Sequence, residues 1–128
     1  MMNDLESNKK VVRELLDLAF NQHQPTEAVA RCIGKYYRQH NPQAGDGPEP
    51  FIGFVRYFVN AFPKLKIDFK RFIAEGDLVV VHSHMTREPG DRGIAVVDIF
   101  RLEGGKVVEH WDVLQDVPEQ AENINTMF

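Results

Sequence analysis

The fold is decided by the stretch GIAVVDIFRLEGGKVVEHWDVLQ, which covers residues 93–115. On both sides of a glycine pair, residues alternate with a period of two, which is typical of β-strands. The two runs are therefore predicted to be neighbouring strands joined by a turn at Glu103-Gly104-Gly105. Charges within an apolar row are costly unless they are paired or used chemically. Of the ionisable residues in these rows, three become candidates for a site: Asp98, His110 and Asp112.

The length of the turn decides which of these residues face each other. A two-residue loop, Gly104-Gly105, would place Asp98 opposite Trp111 and turn it away from His110. A three-residue loop with Gly105 left-handed in a bulge places Asp98 opposite His110 and Val96 opposite Asp112. We favour the bulged turn because it gathers the polar groups into one cluster and assigns Trp111 to the opposite face.

Length and composition indicate an ordinary globular protein. The chain has 128 residues, 43% of them hydrophobic and 27% charged, and is predicted to form one domain over residues 1–128. Its net charge of −4 gives no reason to expect nucleic acid or an anionic membrane as a partner. No apolar run is long enough to span a bilayer, and residues 1–10 are too polar for a secretory signal. A cytoplasmic protein is expected, with the lone Cys32 as helix filler.

Helical periodicity dominates the first half of the chain. An amphipathic helix is predicted over residues 4–22, with Asn3 and Glu6 resembling a capping box at its start. A shorter helix is predicted to begin at Pro25 and to end near Gly34. One further helical turn over residues 35–39 is left as an alternative. A third helix is predicted from Pro48 to Ala61, and its apolar stripe includes Phe54 and Phe58.

A period of two replaces the helical period after Pro63. One strand is predicted from about Leu65 to Ala74, with a bulge at Phe72-Ile73, and another from Leu78 to Arg87. A turn centred near Gly90 would place His82 opposite Asp98. Helices followed by an antiparallel meander indicate an α+β fold. Both strand faces are apolar, so the helices are expected to cover one face and a second subunit the other, while residues 116–128 fold back as a flap or packing arm.

Several segments together resemble the SnoaL-like polyketide cyclase group of the nuclear-transport-factor-2-like superfamily. The resemblance covers the chain from about Val12 onward, and its most specific part is Glu-His-Trp-Asp after a Gly-Lys turn. The matching segments are Gln39-His40-Asn41-Pro42, Glu75-Gly76-Asp77, Asp98-Ile99-Phe100-Arg101, Gly105 to Asp112, Asn123 and Met127-Phe128.

The resemblance implies a cone-shaped fold in which N-terminal helices pack on a strongly bent antiparallel sheet around a pocket, commonly in a homodimer formed through the outer sheet face. It also implies aldol cyclisation without a metal or organic cofactor, with Asp112 as the base that removes a proton next to a carbonyl. Asp98 stands where the cyclases carry histidine.

Each candidate residue has a structural interpretation beside the functional one. Asp112 is expected to be the base, with Asp98 and His110 as supporting acid or orienting groups, since burial in an apolar pocket raises the pKa of a carboxyl. The alternative is a buried network of Asp98, His82 and His110 whose members only satisfy one another's hydrogen bonds and have no catalytic role. His82, His84 and Asp98 also have the residue types of a metal site, but plain strand polar groups are favoured. The residues expected to contact substrate are His40, Asn41, His82, Phe100, Phe54 and Phe58.

These features favour a small enzyme that acts on a hydrophobic carbonyl compound by cyclisation, isomerisation or dehydration. A non-catalytic binding module with the same pocket is the first alternative. An epoxide hydrolase is the second, although Arg101 lies in the wrong phase of its strand to activate water.

Overall fold

The computed structural model describes residues 4–128, and the predicted capping residue Asn3 lies outside the described residues. Three α-helices and five strands are present, and the predicted α+β class is confirmed. The elements in chain order are α1 (Asp4–Leu16), a π-helical segment (Asp17–Asn21), α2 (Pro25–Cys32), β1 (Ile33–Gln39), α3 (Pro48–Ala61), β2 (Lys66–Glu75), β3 (Leu78–Thr86), β4 (Ile94–Glu103) and β5 (Lys106–Asp116).

The sheet is mixed, with strand order β1-β5-β4-β3-β2. Strands β2 to β5 form the predicted antiparallel meander, but β1 pairs in parallel with β5 at the edge. The prediction of a wholly antiparallel sheet is therefore wrong. So is the further helical turn at residues 35–39, because these residues are extended in β1 and pair with β5. Pairing with a strand seventy residues away overrides the weak local pattern.

The β4–β5 hairpin has a two-residue turn with a bulge further along. Gly104 and Gly105 both have positive φ, and Glu103 pairs with Lys106. The extra residue is Val108, which has no partner between the pairs that β5 makes with Leu102 and Arg101. Asp98 therefore lies opposite Asp112.

The predicted three-residue loop and the pairing of Asp98 with His110 are therefore wrong. The partner of Asp98 differs by two residues from the predicted one, and a shift of two leaves the face unchanged. The grouping of Asp98, His110 and Asp112 on one face of the sheet is confirmed, and Trp111 lies on the other face.

The β3–β4 register differs from the prediction by one residue, which reverses the face. His82 pairs with Val97, and Val81 pairs with Asp98, because the connection is centred between Pro89 and Gly90 and not at Gly90. The predicted position of His82 opposite Asp98 is wrong, since a one-residue slip moves every side chain to the other side.

Two local irregularities adjust the helical layer to the sheet. The bulge in β2 falls between Phe69 and Arg71, two residues before its predicted position. The predicted helix over residues 4–22 widens at Asp17 into the π-helical segment. At the end of this segment, the Asn21 side chain accepts from the backbone N–H of Ile67 at 2.7 Å and donates to its carbonyl at 3.1 Å. The amide thereby joins the helical layer to β2.

The core lies between the helices and one side of the sheet, which we call the inner face. It contains the buried side of α1 and alternate residues of each strand, so its composition follows from the periodicity of the sequence. Its members include Val12, Leu15, Leu16, Ala19, Ala28, Cys32, Tyr37, Val55, Leu65, Val79, Val81, Phe100, Leu102 and Val107.

The opposite side of the sheet, the outer face, keeps apolar side chains exposed. Val113 is 70% exposed and Ile73 57% exposed. The C-terminal residues cross part of this face, where the ring of Phe128 stacks on His84 at 4.3 Å and on His82 at 5.7 Å. The predicted packing arm is confirmed. Over residues 4–128 the structure contains no helix of the length and hydropathy needed to cross a membrane.

Candidate functional site

A cavity of about 110 Å³ opens between the helical layer and the inner face of the sheet. Most of its wall is apolar, with aromatic rings contributed by α3, β1, β4 and the π-helical segment. Such a surface suits a hydrophobic small molecule. The apolar lining consists of Leu16, Phe20, Tyr37, Ala44, Phe51, Phe54, Phe58, Ile67, Met85, Ile94, Val96, Phe100 and Leu114.

Most polar groups of the cavity belong to one wall, where β4, β5 and the end of β1 adjoin, and Gln43 adds an amide from the loop between β1 and α3. Asp98 comes from β4, and His110 and Asp112 come from β5, two residues apart on the inner face. Gln39 is the last residue of β1, and Asn41 follows it in the loop to α3. Strand alternation thus delivers three ionisable groups to one end of a largely apolar hollow.

Asp98 and His110 form a buried pair. The Asp98 Oδ1 and His110 Nε2 atoms are 2.8 Å apart, and the residues are only 5% and 7% exposed. Burial raises the pKa of Asp98 above its ordinary value, while the hydrogen bond with His110 acts in the opposite direction. The pair therefore readily holds a proton, which is a property of acid–base sites.

Asp112 is held by an amide from the neighbouring loop. The Asn41 Nδ2 group donates to Oδ1 and Oδ2 of Asp112, each at 3.0 Å. The Asp112 Oδ2 atom is also 3.9 Å from His110 Nε2. The carboxylate is thus oriented by Asn41 and lies beside the Asp98–His110 pair.

Two further residues extend the polar wall, and neither was among the predicted site residues. Gln39 Oε1 accepts from His110 Nδ1 at 2.8 Å, and Gln39 Nε2 donates to the hydroxyl of Tyr37 at 3.3 Å. The pKa of Tyr37 is raised mainly by burial and further by the charge of Asp98, so the phenol keeps its proton. Recognising β1 as a strand would have identified both, because Tyr37 and Gln39 are two apart and share the inner face.

A metal ion could find ligands in this cluster. Asp98, His110 and Asp112 each offer one ligand atom, and these atoms lie within 4.8 Å of one another. The separation of 2.8 Å between His110 Nε2 and Asp98 Oδ1 is a hydrogen-bond distance. The present geometry is therefore that of a site that holds a proton.

Seven of the nine predicted site residues line the cavity. They are Asp112, Asp98, His110, Asn41, Phe100, Phe54 and Phe58.

His40 and His82 lie elsewhere, on the outer face. His40 Nε2 donates to Glu109 Oε2 at 2.7 Å, and its ring stacks on Trp111 with centroids 4.7 Å apart. His82 contacts Arg71 and Phe128. Neither of these two histidines lines the cavity. The combination of His82 and His84 with Asp98 as metal ligands is excluded, because the histidines and Asp98 lie on opposite faces.

Arginine and lysine are missing from the part of the cavity wall that residues 4–128 form. Arg101 lies on the outer face, where its Nε donates to Glu109 Oε1 at 2.8 Å. The sequence-based expectation about its phase is confirmed. A negatively charged intermediate in this cavity would therefore depend on the hydrogen-bonding groups of the wall and on His110, and not on an arginine or lysine.

The sequence model of the SnoaL-like domain matches residues 12–110. No curated protein matches the chain in sequence.

Several solved structures share the fold. TsrD from Streptomyces laurentii is 23% identical, with a TM-score of 0.73 over 88% of this chain and 91% of that chain. A provisionally named polyketide cyclase from Bacillus cereus is 15% identical, with a TM-score of 0.73 over 84% and 74% of the two chains. A provisionally named ketosteroid isomerase from Kribbella flavida is 20% identical, with a TM-score of 0.72 over 96% and 88%. At such identities the likeness concerns the fold.

Proposed function

The chain belongs to the SnoaL-like domain family, and on this premise we propose that it is an enzyme that removes a proton from the carbon next to a carbonyl group. Its substrate is a hydrophobic, polyketide-like compound, and the reaction is aldol cyclisation or isomerisation. The observation that carries this proposal is the placement of Asp98, His110 and Asp112 on one wall of an otherwise apolar cavity. Paired titratable groups in an apolar cleft are a common feature of acid–base sites.

Asp112 is the proposed base. Its carboxylate lines the cavity, and Asn41 orients it through both oxygens. A base must lie within hydrogen-bond reach of the carbon-bound proton in a bound substrate, and a fixed carboxylate meets that demand better than a mobile one. The aromatic walls from Phe54, Phe58 and Phe100 would hold the carbon skeleton and exclude water.

The proposed reaction balances within one substrate. Asp112 takes the proton from the carbon, and the bonding electrons form an enolate. In a cyclisation, the enolate carbon attacks a second carbonyl group of the same molecule, a carbon–carbon bond forms, and the new alkoxide takes a proton from the Asp98–His110 pair. The proton on Asp112 then returns to that pair through the substrate oxygen or a water molecule, so no oxidant, reductant or cofactor is consumed.

The proposal is tested by proton exchange, which requires no knowledge of the natural substrate. A panel of aryl and alicyclic 1,3-diketones is incubated with the protein in D₂O, and loss of the proton signal between the carbonyl groups is followed by NMR. We expect exchange faster than in buffer for at least one compound. Asp112→Asn should slow it by about 100-fold or more, the usual contribution of a general base.

The matched control is Asp116→Asn, which changes an exposed carboxylate on the same strand, outside the cavity lining. This variant should exchange at the wild-type rate. Asp112→Asn should also unfold within a few degrees of the wild type, since Asn41 keeps one acceptor. Unchanged exchange in Asp112→Asn, or a large loss of stability with intact exchange, would contradict the role of Asp112.

A non-catalytic binding module is the second candidate, because Asn41 already donates to both oxygens of Asp112. A carboxylate occupied in this way can serve to shape a polar wall. The two functions differ in the fate of the ligand: a binder would hold a diketone without raising its exchange above the rate in buffer, with equal affinity in Asp112→Asn. The epoxide hydrolase alternative is not favoured, because Arg101 lies outside the cavity.

A further inference from the structure

Gln39, which was not among the predicted site residues, contacts three groups of the site. Its Oε1 atom lies 2.8 Å from His110 Nδ1 and 2.9 Å from the backbone nitrogen of Asn41. Its Nε2 atom lies 3.3 Å from the hydroxyl of Tyr37. The side chain of the same Asn41 donates to Asp112, so the Gln39 amide contacts the proton-holding pair directly and the base through Asn41.

The backbone fixes the orientation of this amide. A peptide N–H is always a donor, so the amide atom that faces the Asn41 nitrogen must be the oxygen, which is an acceptor. The reversed amide would place an NH₂ group against an N–H group. Because the oxygen also faces His110 Nδ1, that ring nitrogen must carry a hydrogen.

The protonation of Nδ1 determines what the other ring nitrogen does. In a neutral imidazole with its hydrogen on Nδ1, the lone pair of Nε2 points outward. Here Nε2 faces Asp98 Oδ1 at 2.8 Å and Asp112 Oδ2 at 3.9 Å. Two acceptors 2.8 Å apart require a proton between them. His110 and Asp98 therefore share one exchangeable proton, either as imidazolium and carboxylate or as imidazole and carboxylic acid.

We propose that Gln39 is a positioning residue that holds His110 with its hydrogen on Nδ1, so that the exchangeable proton is kept between Nε2 and Asp98. The delivery of that proton to a substrate oxygen rests on the proposed function, whereas the state of the ring does not. Gln39 itself touches no reacting atom in this scheme. It acts through the histidine, as a hydrogen-bond partner that selects one ring tautomer.

The groups around the ring agree with this assignment. Besides Gln39, the titratable groups at His110 are Asp98, Asp112 and Tyr37, whose ring lies nearly parallel to the imidazole with centroids 6.4 Å apart. Phe100 packs against the imidazole at 4.7 Å. None of these groups supplies another acceptor to Nδ1, so the tautomer depends on the amide oxygen of Gln39.

The test determines the protonation state of each His110 ring nitrogen directly and needs no substrate. The protein is labelled with ¹⁵N-histidine, and two-bond proton–nitrogen correlation spectra are recorded across the pH range. The His110 signals are assigned by their absence from His110→Gln. In the wild type, the Nδ1 signal should be that of a protonated nitrogen at every pH where the protein is folded.

Three variants distinguish a role of Gln39 in selecting the His110 tautomer from a role in stability alone. Gln39→Met keeps the length of the side chain without its acceptor, and should lose the protonated Nδ1 signal in favour of hydrogen on Nε2. Gln39→Glu restores an acceptor and should restore the protonated Nδ1. Arg38→Met, at the exposed neighbouring position on the same strand, should leave the His110 signals at their wild-type positions.

The inference is overturned if neutral His110 in the wild type carries its hydrogen on Nε2. It is also overturned if Gln39→Met folds and keeps the protonated Nδ1 signal. Should Gln39→Met fail to fold, the wild-type spectrum and Gln39→Glu still decide the question. The proposed function fails independently: if no diketone exchanges faster than in buffer while wild-type His110 is protonated on Nδ1, proton abstraction is rejected and the role of Gln39 is left intact.

Discussion

Asp98 is the residue at which burial and charge conflict most strongly. It is enclosed on the inner face, and the pKa of its carboxyl is raised chiefly by burial. A raised folded-state pKa means that folding favours the protonated form. The stabilisation associated with this proton is complete below the unfolded pKa near 4 and is lost as the pH rises through the folded pKa.

Asp98→Asn should therefore become more stable than the wild type as the pH rises from 4 to 7. The expected gain is about 1.4 kcal/mol for each pH unit by which the pKa is raised, and the two proteins should be equally stable near pH 4. Urea unfolding at a series of pH values measures the difference. An Asp98→Asn protein less stable than the wild type at pH 7 would show that the ionised carboxylate is stabilising.

Asp91→Asn supplies a control of opposite sign. Backbone N–H groups of Arg87 and Gly93 donate to this carboxylate and lower its pKa. Its contribution to stability is present above the unfolded pKa and is lost as the pH falls through the folded pKa. Asp91→Asn should accordingly lose stability at pH 7 and approach the wild type in acid.

Cys32 gives a second prediction at this scale. Burial raises the pKa of its thiol to about 11, and the residue is 1% exposed. Because the thiolate is the reactive form, the folded protein should not react with a disulfide reagent at pH 8 over an hour, whereas urea should expose one reactive thiol. Rapid labelling of the native protein would contradict its role as core filler. The sequence prediction of a filler on a helix agrees with the structure.

At the scale of elements, local chemistry identified the turn, but tertiary packing determined where the bulge lies. Gly104-Gly105 was recognisable as a hairpin turn, and the shared face of Asp98, His110 and Asp112 followed from a period of two. The position of the bulge at Val108 could not be predicted, because Val108 lies where β1 approaches β5. A Cβ atom on Gly34 would be 2.9 Å from Val108 Cγ1 and 3.1 Å from Lys106 Cβ.

Gly34→Ala should therefore destabilise the protein by about 1–3 kcal/mol, which is the usual cost of overpacking. Gly53→Ala is the matched control, since Gly53 lies in α3 and a Cβ there meets no atom within 4 Å. The control should stabilise the protein by about 0.4–1 kcal/mol by restricting the unfolded chain. Chemical denaturation measures both values, and equal stabilities of the two variants would show that β1 and β5 are not packed this closely.

At the scale of the whole molecule, the order of elements predicted the α+β class, while the mixed sheet was missed. The contact between β1 and β5 joins Arg38 to Glu109, a separation that no local pattern encodes. The same omission explains why Gln39 and Tyr37 were absent from the predicted site. It also explains why His40 was wrongly placed in the pocket. His40 follows directly after Gln39 at the end of β1, so its side chain points to the opposite face from Gln39, which is the outer face.

We propose that the outer face forms a homodimer. Val113 and Ile73 are exposed there, and an exposed apolar patch is one mark of a protein–protein interface. Val113→Lys should convert a dimer into a monomer in sedimentation velocity experiments at micromolar concentration. Tyr57→Lys, at a residue 71% exposed on α3, should leave the dimer unchanged. A monomeric wild type would reject the proposal.

Gln39 ends β1, and together with the next two residues of the chain it contacts both faces of the sheet at its edge. Gln39 and Asn41 reach inward to His110 and Asp112, while His40, between them, stacks outward on Trp111. This short segment thus contacts β5 on both faces, so a movement of the outer contact is transmitted to the inner one. We therefore expect that displacing the indole on the outer face, for example by Trp111→Ala, changes the orientation of the Asp112 carboxylate in the cavity.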